Sequence, residues 1–168
     1  MRRRLFLAVL GILLPFSAAV LGQAGAEKRG TATKEGKAAP AAMKFIATDD
    51  APKAIGPYSQ AVVEGGFLFA AGQVPLDPKT GELVTGGIEQ SAERVLDNLE
   101  AVLKAAGLTF SDVVKTTVFL TKAEDFAALN GVYGKRMGEH KPARSTVIVA
   151  ALPRNAPIEI ELIARARR

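Results

Sequence analysis

The chain has 168 residues, 48% of them hydrophobic, which suffices for one domain with a substantial core. Its formal charge of +5 belongs to the N-terminal end: residues 1–41 hold seven of the 22 Lys/Arg and two of the 17 Asp/Glu, leaving fifteen of each sign over residues 42–168. A neutral domain has no strong electrostatic footprint for nucleic acid, and no cysteine with a single histidine leaves neither a disulfide framework nor a His/Cys metal centre.

Met1-Arg-Arg-Arg is a positive n-region, Leu5 to Leu21 an apolar run, and Ala24-Gly25-Ala26 a small-x-small cleavage site. Residues 1–26 are therefore expected to be a signal peptide, cut before Glu27. Arg3-Arg4-Leu5-Phe6-Leu7 is similar to the core of a twin-arginine export signal, and no cysteine follows the apolar run for lipidation. These features predict a periplasmic or secreted protein with no membrane attachment after signal removal. Residues 27–42 are small, polar and charged without periodicity, a flexible linker to a domain spanning 43–168.

Met43 to Thr48 alternates as a first strand, and the prolines and glycine of Asp49 to Pro57 make a loop. Tyr58 to Val63 and Phe67 to Ala71 are strand-like runs around Glu64-Gly65-Gly66, a hairpin signal. Gly72 to Pro75 is expected to break the strand, and Asp77 to Gly81 is turn-rich. From Ile88 the period changes: Ala92, Val95, Leu96, Leu99, Val102 and Leu103 follow helical spacing, with Gly107 as the stop. Glu89, Glu93, Asp97 and Glu100 lie on the outer side, expected to be a solvated face. Val113 to Leu120 returns to strand, and Thr121 with Glu124 matches a capping box for a helix bearing Phe126, Leu129, Tyr133 and Met137 on one side. Asn130 falls beside that stripe.

Two strands end the chain, Arg144 to Val149 and Ile158 to Ala164, joined by a turn containing Pro153, Asn155 and Pro157. Alternation puts Ile158, Ile160 and Leu162 on one face and Glu159 and Glu161 on the other. An arginine opening one strand and a carboxylate on the next could face each other across a pocket; on spacing alone the simpler reading is an ordinary surface pair. The order β-β-β-α-β-α-β-β predicts an α+β fold, with two helices on one face of a mixed sheet. Its other face needs cover, which association between copies supplies, with pockets at the seams.

Several constellations fall away. His140 lies in a helix-to-strand connection and reads as a surface loop residue; without a second histidine or a cysteine, no Ser-His or Cys-His nucleophile can be built. The glycine pairs are not followed by the Lys-Ser of a phosphate loop. Glu159 and Glu161 stand about 6.5–7 Å apart along a strand. That approaches an inverting-glycosidase spacing, but two residues on one strand do not flank a sugar from opposite sides.

Ile55-Gly-Pro-Tyr-Ser59, Ala71-Gly-Gln-Val-Pro75, Leu96-Asp-Asn-Leu99, Ala105-Ala-Gly-Leu108, Val114-Lys-Thr-Thr-Val-Phe119, Pro142-Ala-Arg-Ser145 and Ile158-Glu-Ile-Glu161 together resemble the RidA/YjgF family of reactive enamine/imine deaminases. The resemblance runs in order from about Met43 to the C-terminus. It implies a chorismate-mutase-like fold, a homotrimer with three inter-subunit pockets, and cofactor-independent hydrolysis of 2-imino acids to 2-keto acids and ammonia. It further implies that Arg144 binds the substrate carboxylate, that Glu159 holds the water, and that Tyr58, Gly72 and Asn130 line the pocket. The sequence departs from the family pattern at Ala71, where a serine is usual, at Thr146, where a cysteine is common, and in a shorter loop before Pro142.

The residue types suit that chemistry. A guanidinium is a planar fork that pairs bidentately with a carboxylate, at roughly 1.5–3 kcal/mol per charge-assisted bond, and a lysine at 144 lacks the fork. A glutamate that orients or deprotonates water typically contributes about 10²–10⁴ in rate. Two rival readings are a non-catalytic module that uses Arg144 to hold a small carboxylate or a partner, and RNA cleavage or translation inhibition, which the neutral domain disfavours.

Overall fold

The computed structural model describes residues 42–166, so the expected signal peptide and nearly all of the expected linker lie outside the described residues. Six strands and two helices follow in order: β1 (Lys44–Ile46), β2 (Ala61–Glu64), β3 (Phe67–Gln73), α1 (Ile88–Ala105), β4 (Val113–Leu120), α2 (Phe126–Met137), β5 (Ala143–Ile148) and β6 (Ile158–Arg165). The expected element order holds. Both helices cover one face of a single mixed sheet ordered β1-β2-β3-β6-β4-β5.

Gly65 and Gly66, both at positive φ (59° and 84°), form the two-residue loop between β2 and β3, where paired left-handed residues match the twist of the strands. The second strand begins at Ala61 rather than Tyr58, which sits in a bend held by its own N–H to the Gly56 carbonyl at 2.8 Å. The third does not stop at Ala71 but continues to Gln73. Ala70 pairs with Leu162 and Gln73 with Ile160, so Ala71 and Gly72 together oppose Glu161 alone, a β-bulge.

In α1, Ala92, Val95, Leu96, Leu99, Val102 and Leu103 are wholly buried. They pack with Leu68, Ile158, Ile160 and Leu162 of the sheet into one core, at about 1.5–3 kcal/mol for each large apolar side chain buried. The helix ends in a Schellman motif: Leu108 N–H donates to the Leu103 carbonyl and Gly107 N–H to that of Lys104, both at 2.9 Å, with Gly107 at φ 73°.

Three local expectations are corrected. No capping box starts α2; a 3₁₀ turn over Ala123–Asp125 leads into it, and the Thr121 hydroxyl instead donates to the Pro157 carbonyl at 3.4 Å. The outer acids of α1 are not simply solvated. Glu93, Asp97 and Glu100 accept from Arg136 of α2 at 2.9, 2.6 and 3.1 Å. Burial works against the charge on Arg136, but the carboxylates outweigh it and raise its pKa further.

The third correction concerns topology. β5 and β6 are not neighbours: β4 lies between them, parallel to β5 and antiparallel to β6. A parallel pair needs a crossover, and α2 supplies it. The sheet's helix-free face carries a partly exposed apolar row, since Phe45 pairs with Val62, Val62 with Phe69 and Phe69 with Ile163.

Candidate functional site

Strand register decides where each candidate side chain points. Thr116 of β4 pairs with both Arg144 of β5 and the buried Leu162 of β6, so Arg144 lies on the helix side of the sheet. Phe119 pairs with Glu159, which alternates with the buried Ile158 and Ile160 and so faces the other way. Within one chain the arginine and the glutamate are on opposite faces, and no ion pair joins them among the described residues. The expectation that they face each other across one pocket of adjacent strands is corrected by the interposed β4.

Each side chain nevertheless has a built environment. An Nη of Arg144 donates to Asn130 Oδ1 at 2.7 Å. Its Cζ lies 4.6 Å from the Tyr133 ring centroid and 5.8 Å from that of Phe126, both within cation–π range. Tyr133 is in turn held by a 2.8 Å hydrogen bond between its hydroxyl and that of Thr116, and burial raises its pKa. Phe126, Asn130 and Tyr133 recur at positions i, i+4 and i+7 of α2, so a single helix face aims the guanidinium. A cavity of about 400 Å³ opens there, bordered by Asn130, Met137, His140 and Arg144. His140 is not a free surface residue: its Nε2 lies 2.6 Å from the Val113 carbonyl, which can only accept.

Glu159 borders a second cavity, of about 290 Å³, with Tyr58, Gly72, Val74, Leu76 and Pro153. A Cβ at position 72 would collide with Glu159 Oε1, so only glycine leaves the carboxylate its place. The bulge at Ala71 and Gly72 opens that space. Burial raises the Glu159 pKa, and the neighbouring Glu161 raises it further. Tyr58 is half exposed, and its hydroxyl accepts the Ile55 N–H at 3.4 Å.

The five candidates thus form two groups: Arg144 with Asn130, and Glu159 with Tyr58 and Gly72. Tyr133 and Phe126, the aromatic seat of the guanidinium, were hidden in the sequence because their helical spacing is also that of a core stripe. The spacing of Asn130 to both was the available signal.

The family model described as Endoribonuclease L-PSP matches residues 48–166. The chain belongs to this family, RidA/YjgF. Its fold is accordingly the chorismate-mutase-like one, as the resemblance implied. Among its RidA/YjgF relatives, the 2-iminobutanoate/2-iminopropanoate deaminase of Escherichia coli K12 is 49% identical over 124 residues, covering 72% of this chain and 96% of the relative. A crystal structure from Thermotoga maritima MSB8 is 58% identical with a TM-score of 0.72, covering 74% of this chain and 98% of that one. E. coli TdcF, solved with bound serine, is 44% identical with a TM-score of 0.70, covering 74% and 99%. RidA/YjgF proteins thus include small-molecule binders and imine deaminases.

Proposed function

We propose that this protein hydrolyses reactive 2-imino acids, of the type derived from 2-aminoacrylate, to 2-keto acids and ammonia, at sites shared between copies of a homotrimer. The observation that carries the reading is the division of one chain into two complementary half-sites. Arg144 is an oriented cation on the edge strand β5, and Glu159 is a desolvated acid on the opposite face. That face also bears the apolar row, with Phe69 45% and Phe45 65% exposed, which another copy covers.

The reaction follows from the groups brought together. The Arg144 fork takes the substrate carboxylate and fixes the adjacent C=N carbon, with Asn130 and Tyr133 holding the guanidinium in line. Glu159 accepts a proton from a water as the water oxygen bonds to that carbon, and passes it to the imine nitrogen to give a carbinolamine. The same carboxylate then takes the carbinolamine hydroxyl proton and delivers it to the amine nitrogen, so that the C–N bond breaks and ammonia leaves as the C=O forms. A raised carboxyl pKa suits a group that must both accept and return a proton near neutrality. The C=N carbon is already electrophilic, so the steps require no cofactor. Export through residues 1–26 belongs to the same proposal, and the mass of the protein recovered from outside the cytoplasm tests it.

The activity test generates 2-iminopropanoate with a dehydratase and follows pyruvate. Arg144→Ala and Glu159→Ala should each lose about 10²-fold or more relative to wild type. Co-expressed, they should regain activity, because roughly a quarter of seams pair an intact arginine with an intact glutamate. Equal rates in all proteins, or none above buffer, would instead favour a non-catalytic carboxylate-binding module. Failure of the mixture alone to recover would place both residues in one chain's site.

A further inference from the structure

The Glu159 cavity is lined by the end of β3, by β6 and by loops. Two of the loop contributions are Val74 and Leu76, just past the end of β3, and Pro52, in the segment between β1 and β2. Around the bridge between Leu76 and Leu83, the Asp77 N–H donates to the Glu82 carbonyl and the Val84 N–H to the Pro75 carbonyl, both at 2.9 Å; the carbonyls of Leu76 and Pro52 are left to other donors.

We propose that two buried side-chain amides, Gln60 and Asn98, are positioning residues that set the width of this cavity, each by gripping one wall. Asn98 is fully buried on the core face of α1, and its Nδ2 donates to the Val74 carbonyl at 3.3 Å and the Leu76 carbonyl at 3.0 Å. Its Oδ1 has no protein partner among the described residues, so all its protein hydrogen bonds go to that one loop. One turn earlier, Arg94 reaches Asp77 at 4.0 Å, the next residue of the same loop. Gln60 is 4% exposed. Its Nε2 lies 3.0, 3.2 and 2.8 Å from the carbonyls of Thr48, Ala51 and Pro52, and its Oε1 accepts the Thr48 N–H at 2.6 Å. A polar amide in an apolar core is costly unless it is hydrogen-bonded. Here each amide directs its donors to the backbone of a different lining loop, and neither has a hydrogen bond to Glu159 among the described residues. They act through the loops: with the walls held, the carboxyl stays shielded from water, and with a wall released, water reaches it.

The kinetic consequence of this role rests on the deaminase reading; the geometric one does not. The test therefore reads the Glu159 carboxyl directly, by ¹³C NMR titration of the full-length protein, with Glu159→Gln identifying the resonance. The charged groups around it, Glu161 on β6 and Lys53 and Arg154 at the cavity rim, are unchanged in the neutral variants Asn98→Leu and Gln60→Met. Each should bring the midpoint down toward the ordinary carboxylate range, and kcat/KM for 2-iminopropanoate should fall about tenfold or more. Leu103→Ala, a core truncation in the same helix, should keep the wild-type midpoint despite its loss of stability. If Asn98→Leu does not fold, Asn98→Ser replaces it. Midpoints in the amide variants equal to wild type, or an equal drop in Leu103→Ala, would overturn the proposal. A wild type without keto-acid formation sinks the deaminase reading and leaves the titration result standing.

Discussion

The backbone at Gly72 is not in the left-handed region, so alanine there meets no dihedral penalty; it meets Glu159. Gly72→Ala should therefore fold normally and displace the carboxyl, lowering kcat by about tenfold to a hundredfold in the pyruvate assay. Glu159 itself has a stability signature. Its folded pKa lies above the ordinary value because of burial and then Glu161, so its contribution to stability is fully present below the ordinary carboxylate range and is lost as pH rises through the folded value. At neutral pH the ionised side chain costs stability. Glu159→Gln should raise the melting temperature at pH 7, with the gain disappearing under acid conditions, while abolishing activity. Thermal scans across pH, in parallel with the assay, check both halves.

At the scale of elements, α2 has two duties. One face orients Arg144 through Asn130 and Tyr133, and Arg136 near its C-terminal end ties it to three acids of α1. The arginine is 20% exposed, so its pairs fall between surface and buried cases, and Arg136→Ala should cost about 1–3 kcal/mol in denaturant unfolding. Double-mutant cycles with Asp97 would separate its shortest contact from the rest. The elements themselves were legible because their signals are local: the stripe from Ala92 to Leu103, the Gly65-Gly66 turn and the Gly107 stop each act within a few residues. Structure departs from these local signals where a distant partner intervenes. Thr121 is occupied by Pro157, Glu93, Asp97 and Glu100 by Arg136, and β5 is separated from β6 by β4, which precedes both in the chain. Register, which puts Arg144 and Glu159 on opposite faces, is likewise a property of three strands at once.

At the scale of the whole molecule, the helix-free face is the place where another copy is proposed to sit. Phe69 stands in the middle of its apolar row. Phe69→Glu should give a folded, smaller species in sedimentation analysis, and its keto-acid formation should drop to the level of the single-site variants. Retention of both mass and rate would move the seam elsewhere. The strand order has one more effect. β6, which alone joins the β1-β2-β3 half of the sheet to the β4-β5 half, contains the last described strand residues of the chain, up to Arg165. Without β6 the two halves have no backbone between them to pair with, and α1 has only part of the floor it rests on. The halves therefore depend on one shared strand, and a chain truncated before Ile158 should stay open to proteases.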